Sequence, residues 1–192
     1  MDDARLIERE LSSERVYDGG FIAVDRMTVE LPNGSIAARD IVRHVGAAAV
    51  VPLDADGNVI LVKQYRAPHG RVLLEIPAGK KNDKLEDGLT AAKRELEEET
   101  GYTADAFIHL TDLLTTPGFS DEVISLYLAT DIAPGDSHPD EDEFLDVVKM
   151  PFEEALRMVE SGALSDAKTA CALLLAREAV KVYGRLKNGS DL

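Results

Sequence analysis

The pattern of apolar and polar positions divides the chain into a strand-rich beginning and a helical end. Residues 1–15 read as a polar, partly helical lead-in. Residues 20–31 read as a strand, with period-2 character toward its end. Pro32-Asn33-Gly34-Ser35 is a tight turn, because Asn-Gly supplies the positive φ angles of a hairpin. Residues 36–44 supply the partner strand. These elements predict a small antiparallel β unit over residues 1–45. A hairpin of this size is not stable alone, so it must pack on the rest of the chain or on another chain.

The unbroken apolar run Gly46-Ala47-Ala48-Ala49-Val50-Val51-Pro52-Leu53 predicts a buried strand. A turn at 54–58 leads to a strand at 59–66, and a further short strand covers 71–77. A helix is predicted over 87–99, closed by Gly101 as a C′ glycine. Two more strands follow near 104–115 and 122–131. An acidic loop at 136–143 then leads to residues 145–150. Pro151 occupies the N1 position of a short helix over 152–160, which Ser161-Gly162 stops. Asp166 caps a last helix to about residue 186. Strands, helix, strands, then helices predict an α+β fold. Residues 46–192 would form an α/β/α sandwich around a mixed sheet, preceded by the β unit of residues 1–45.

Charge narrows the partners. With 36 acidic and 21 basic side chains, the net charge is −15. Such a surface repels a nucleic acid, and no basic patch is segregated along the chain. A phosphorylated small molecule remains compatible if divalent cations lie between its phosphates and the protein's carboxylates. No apolar run approaches the roughly 20 residues that cross a bilayer. The N-terminus, Met1-Asp2-Asp3-Ala4-Arg5, has no apolar signal core, so a cytoplasmic protein with no membrane partner is expected. Cys171 is the one cysteine and sits in an apolar helical stretch, where a small core residue is the expected role.

The predicted helix over 87–99 carries an electrostatic oddity. Glu95, Glu98 and Glu99 stand at i, i+3 and i+4, on one helix face. Glu97, Glu98 and Glu99 crowd the last turn, where the helix dipole is already negative. A hard cation with oxygen ligands would relieve that repulsion. By itself the cluster fits either a solvated acidic face or a metal site.

The wider spacing bears on that choice. Gly79, Glu86, Arg94-Glu95-Leu96, Glu98-Glu99, Gly101 and Tyr102 resemble the Nudix box, with every interval from Glu86 to Tyr102 matching. Residues 80–85 place one more residue between Gly79 and Glu86 than the family pattern has. The extra residue falls in the loop before the helix. The resemblance covers roughly residues 46–150 and implies a Nudix-like fold. It also implies that Glu95, Glu98, Glu99 and the Ala78 carbonyl hold divalent cations. These would be Mg²⁺ or Mn²⁺, two or three per site. Arg94 would orient the carboxylates, with Glu86 in support.

Features outside the box resemble the ADP-ribose pyrophosphatase subgroup. They are Leu74-Glu75-Ile76-Pro77-Ala78-Gly79, the Pro117-Gly118-Phe119-Ser120 stretch 16 residues after Gly101, and Ser165-Asp166-Ala167-Lys168-Thr169. The resemblance implies hydrolysis of ADP-ribose to AMP and ribose 5-phosphate. It also implies a homodimer that exchanges the N-terminal unit. In the acidic loop, Glu141 would be the general base and Glu143 a further metal ligand. Arg66 would bind the pyrophosphate, with Pro117 and Gly118 also at the substrate and Arg39 reaching the substrate of the partner subunit. Tyr17 or Phe21 would either stack on adenine or serve as a core aromatic. Other readings are a pyrophosphatase for a GDP-sugar or another ADP-sugar, or a non-catalytic ADP-ribose-sensing module. His44, His69, His109 and His138 are scattered. No Ser-His-Asp arrangement, HExxH helix or phosphate-binding glycine loop supports a different chemistry.

Overall fold

The structure is a computed structural model and describes residues 3–138 and 144–187, with side chains through 181. The chain divides into two compact units, Met1–Gly46 with Leu114–Val123, and Ala47–Leu113 with Ile124–Leu192.

The first unit is a three-stranded antiparallel sheet, β1 (Arg9–Asp18), β2 (Ala23–Glu30) and β3 (Ile36–Arg43), in that order. The Asn33-Gly34 turn forms as expected, with Gly34 at φ 83° and the Leu31 amide donating to the Ser35 carbonyl. The helical lead-in is corrected. Only Ala4–Leu6 make a short 3-10 turn, and residues 9–18 form β1. Every residue of β1 is exposed, so neither face shows the apolar alternation by which a strand is read. The strand is held instead by its ladder to β2 and by cross-strand pairs such as Arg9 to Glu30. Leu11 and Val16 are extra residues at two register shifts of that ladder. The segment carrying Pro117 and Gly118 belongs to this unit: the Val42 amide donates to the Phe119 carbonyl, and the Asp121 amide to the Val42 carbonyl.

The second unit is built on β4 (Ala47–Pro52), whose six residues are all buried. β4 runs parallel to β9 (Val123–Ala133) and antiparallel to β7 (Ala78–Lys80) in a mixed sheet ordered β7-β4-β9-β8, with β8 at Thr103–Leu114. Alternate residues of β4 feed two cores, as the strand period requires. Ala48 and Val50 pack with Ala91, Ala92 and Leu96 of helix α1 (Gly88–Thr100). Ala47, Ala49 and Val51 share a core with Leu156 of α2 (Phe152–Glu160) and Leu173 of α3 (Ala167–Lys187). Helices therefore cover both faces of the mixed sheet, and the expected α+β sandwich is found. A second, antiparallel sheet joins β10 (Leu145–Pro151), β5 (Asn58–Arg66) and β6 (Arg71–Glu75). The strand expected over 71–77 ends at Glu75, and β7 starts afresh at Ala78. Pro151 is the N-cap of α2 and ends β10, one position before the expected N1. Among the described residues, no helix is long and apolar enough to cross a membrane.

Both ends of α1 are specified locally. The Asp87 side chain caps the start by accepting from the Leu89 and Thr90 amides. Gly101 adopts φ 74°, and its amide donates to the Glu97 carbonyl. A Cβ at Gly101 would also lie 2.6 Å from the Gly135 carbonyl oxygen. Gly101→Ala is therefore expected to cost about 1–3 kcal/mol, read by urea denaturation. Wild-type stability in that variant would contradict the strained position.

Candidate active site

The buried face of α1 contains Ala91, Ala92, Glu95, Leu96, Glu99 and Thr100. Leu96 and the alanines anchor the helix on β4, and the same helical period carries Glu95 and Glu99 inward. Glu95 is 6% exposed and Glu99 1%. Burying carboxylates costs several kcal/mol each unless charge or hydrogen bonds compensate.

Part of that compensation is visible. Arg94 Nη1 donates to Glu95 Oε1 at 2.6 Å and to Glu98 Oε2 at 3.0 Å. Its Nη2 donates to the Lys80 carbonyl at 3.0 Å, and the guanidinium reaches Glu86 at 3.4 Å. Burial disfavours the Arg94 charge, but Glu95, Glu86 and Glu98 more than reverse that, so its pKa is raised. Glu99 Oε2 accepts from the Ala78 amide at 3.1 Å. Gly79 passes so close to Glu95 that a Cβ there would collide with the carboxylate. The expected set of Ala78, Arg94, Glu95, Glu98 and Glu99 is thus gathered in one place. Glu86 joins it through Arg94.

The loop with the extra residue is ordered by its own polar groups. Glu86 accepts from the Asn82 amide at 2.6 Å and from Asn82 Nδ2 at 3.2 Å. Asp83 Oδ1 accepts from the Leu85 and Glu86 amides. The Asn82 bonds, chiefly, hold the Glu86 pKa below its ordinary value.

An oxygen-only donor set of this charge fits a hard divalent cation. Glu95 and Glu99 are buried, Glu98 is half-buried beside them, and Gly79 leaves the carboxylates room. Among the described residues, no three acidic, histidine or cysteine groups already stand as a metal-binding cluster. Glu95 and Glu98 are turned toward Arg94, and Glu99 accepts from the Ala78 amide.

A model of the NUDIX domain matches residues 42–173. The chain belongs to the Nudix family. It is 44% identical over 170 residues to an ADP-ribose pyrophosphatase of Bacillus subtilis (strain 168), covering 88% of this chain and 91% of that protein. It is 39% identical over 178 residues to a methanol dehydrogenase activator of Bacillus methanolicus, covering 91% and 96%. A crystal structure of an ADP compounds hydrolase superposes with a TM-score of 0.82 at 26% identity, over 94% of this chain and 98% of that one. The expectation of a Nudix hydrolase acting on a pyrophosphate bond is met at this level.

Glu141 and Glu143 fall outside the described residues. Arg39, Tyr17, Phe21, Pro117 and Gly118 belong to the first unit. Arg39 pairs there with Glu8 through Nε and Nη2. Tyr17 is 55% exposed and Phe21 65%, which removes the core-aromatic alternative within the chain. Phe21 tilts against the His44 ring, centroids 5.2 Å apart. Pro117 and Gly118 lie in a turn where the Phe119 and Ser120 amides donate to the Thr116 carbonyl.

Arg66 closes the end of β5 and is engaged by a residue that sequence reasoning gave no role. Its Nε and Nη2 donate to Glu75 Oε1 and Oε2, both at 2.8 Å, in a bidentate pair. Lys168 also pairs with Glu75 Oε2, and reaches Asp166 Oδ2 at 3.0 Å. The bond to Glu75, before any other influence, raises the Arg66 pKa, and the charges of Glu99 and Asp166 add to it. The available signal was one ionisable residue in the short apolar strand Val72-Leu73-Leu74-Glu75-Ile76.

Glu75 makes stability depend on acid. Burial alone would raise its pKa, but Arg66 and Lys168 more than reverse this and lower it from 4.5 to about 2. The folded state therefore gains stability that is complete above pH 4.5 and lost as pH falls toward about 2. Tm from circular dichroism should drop across that window. A Tm unchanged across it would contradict the paired carboxylate.

Proposed function

We propose that this chain is a divalent-cation-dependent pyrophosphatase that hydrolyses ADP-ribose to AMP and ribose 5-phosphate. The observation that carries the chemistry is the buried carboxylate face of α1 opposite Gly79. The substrate is supported by the name of the Bacillus subtilis relative.

In this reading Glu95, Glu98, Glu99, the Ala78 carbonyl and Glu143 hold two or three Mg²⁺ or Mn²⁺ ions. Bound there, the ions supply positive charge that neutralises the phosphates and eases deprotonation of water. Arg94 keeps the carboxylates aligned through its bonds to Glu86, Glu95 and Glu98. Arg66 offers guanidinium donors to the pyrophosphate while Glu75 holds its plane. Glu141 takes the proton of the attacking water. Tyr17 and Phe21 present exposed aromatic faces suited to adenine, and Arg39, Pro117 and Gly118 complete the substrate contacts.

A homodimer built through the N-terminal unit is part of the proposal. Leu6, Ile7, Leu11, Val16, Tyr17 and Phe21 are all exposed, a large apolar load for a free surface. Light scattering is expected to give twice the chain mass. A monomer at micromolar concentration would remove the dimer.

A regulatory role without catalysis takes its support from the name of the Bacillus methanolicus relative. Turnover separates the two readings. With Mg²⁺ and ADP-ribose, the wild type should yield AMP and ribose 5-phosphate, and Glu99→Gln should lower kcat by about a hundredfold or more with the fold intact. Near wild-type turnover in Glu99→Gln would take Glu99 out of the site. Cleavage of a GDP-sugar in preference to ADP-ribose would replace the substrate. ADP-ribose that binds and is not cleaved would favour the regulatory role.

A further inference from the structure

The connection between β6 and β7, residues 75–78, is tied at three successive points. At its start, Glu75 is 1% exposed and receives Arg66 bidentately and Lys168 on Oε2. At its middle, the Ile76 amide donates to Thr169 Oγ1 at 3.0 Å. At its end, the Ala78 amide donates to Glu99 of α1. Lys168 at the first point and Thr169 at the second come from the beginning of α3. There Asp166 Oδ2 accepts from Lys168 Nζ, the Thr169 amide and Thr169 Oγ1, at 3.0, 3.0 and 2.6 Å. Thr169 is fully buried. One capping carboxylate thus orients both α3 side chains that grip residues 75 and 76.

Arg66 gains from this arrangement. An exposed arginine on a strand end would sample many rotamers, and ordering its side chain on a ligand would cost entropy. A buried carboxylate that accepts two parallel bonds fixes the guanidinium plane in advance. Lys168 adds a second positive charge to Glu75, so the carboxylate stays ionised and in place. The assembly also keeps Arg66 close enough to α1 for the Glu99 charge to act on it.

We propose that Glu75 is a positioning residue for Arg66, and that the start of α3 (the capping Asp166 with Lys168 and Thr169) holds Glu75 in that role. The part concerning substrate rests on the pyrophosphatase reading given above. The part concerning Arg66 itself does not.

The test combines a double-mutant cycle with a readout that needs no substrate. Arg66→Gln, Glu75→Gln and the double variant are compared for kcat and KM on ADP-ribose with Mg²⁺. Glu75→Gln is expected to raise KM about tenfold while kcat changes less than about threefold. In the Arg66→Gln background it should add nothing. A full additional loss there, or an unchanged KM in the single variant, would overturn the proposal. Separately, ¹⁵N relaxation of the Arg66 Nε–H reports its order in the free protein. Its order parameter should lie above about 0.8 in the wild type and below about 0.6 in Glu75→Gln. Equal order in both overturns the proposal whatever the substrate. If the wild type leaves ADP-ribose intact, the substrate reading falls and the relaxation result alone decides the positioning role. If Glu75→Gln does not fold, Lys168→Met takes its place in both measurements, with Lys168→Arg expected to restore KM and order. Failure of the arginine variant to restore either would overturn the part assigned to α3.

Discussion

Arg94 bonds to Glu86, Glu95, Glu98 and the Lys80 carbonyl with a single guanidinium. The rest of the site depends on that contact. The apolar packing of Ala91, Ala92 and Leu96 on β4 obliges the adjoining helix positions to face inward, and those positions are glutamates. Without a counter-charge, α1 would carry crowded anions at its negative end and two buried carboxylates, Glu95 and Glu99. Arg94 lowers that cost enough for the helix to dock, yet one positive charge is shared among three carboxylates. The shortfall suits a divalent cation. A helix neutralised fully by its own side chains would have no such capacity.

The same economy of charge recurs at the end of β6. Glu75 is buried with Arg66 and Lys168, and Lys168 is shared in turn with Asp166. Between these two networks runs a short backbone segment whose amides at residues 76 and 78 are both spoken for by side chains. Preorganisation of this kind moves the ordering cost from the moment of binding to the moment of folding. It also explains why glycine stands at position 79, where a Cβ would displace the Glu95 carboxylate.

Much of this was legible along the chain, for identifiable reasons. Helix α1 could be read because Asp87, the apolar stripe and Gly101 are all local signals. β4 could be read because burial on both faces leaves an unbroken apolar run. β1 was hidden because its stabilising partners are charges across a ladder, and polar residues on both faces carry no period. The Glu75 network was hidden because Lys168 lies 93 residues away, and pairing at that separation leaves no trace in spacing. The acidic register at Glu141 and Glu143 lies outside the described residues.

Manganese binding to the α1 carboxylates tests the central claim most directly, since Mn²⁺ is paramagnetic and its free form is counted by electron paramagnetic resonance. Titration of the wild-type protein should show saturable loss of the free-ion signal, and Glu99→Gln, still folded, should weaken that binding by about tenfold or more. A wild type that leaves the signal of free Mn²⁺ unchanged, or a Glu99→Gln variant that binds as tightly as the wild type, would contradict the claim that α1 is a cation-binding helix.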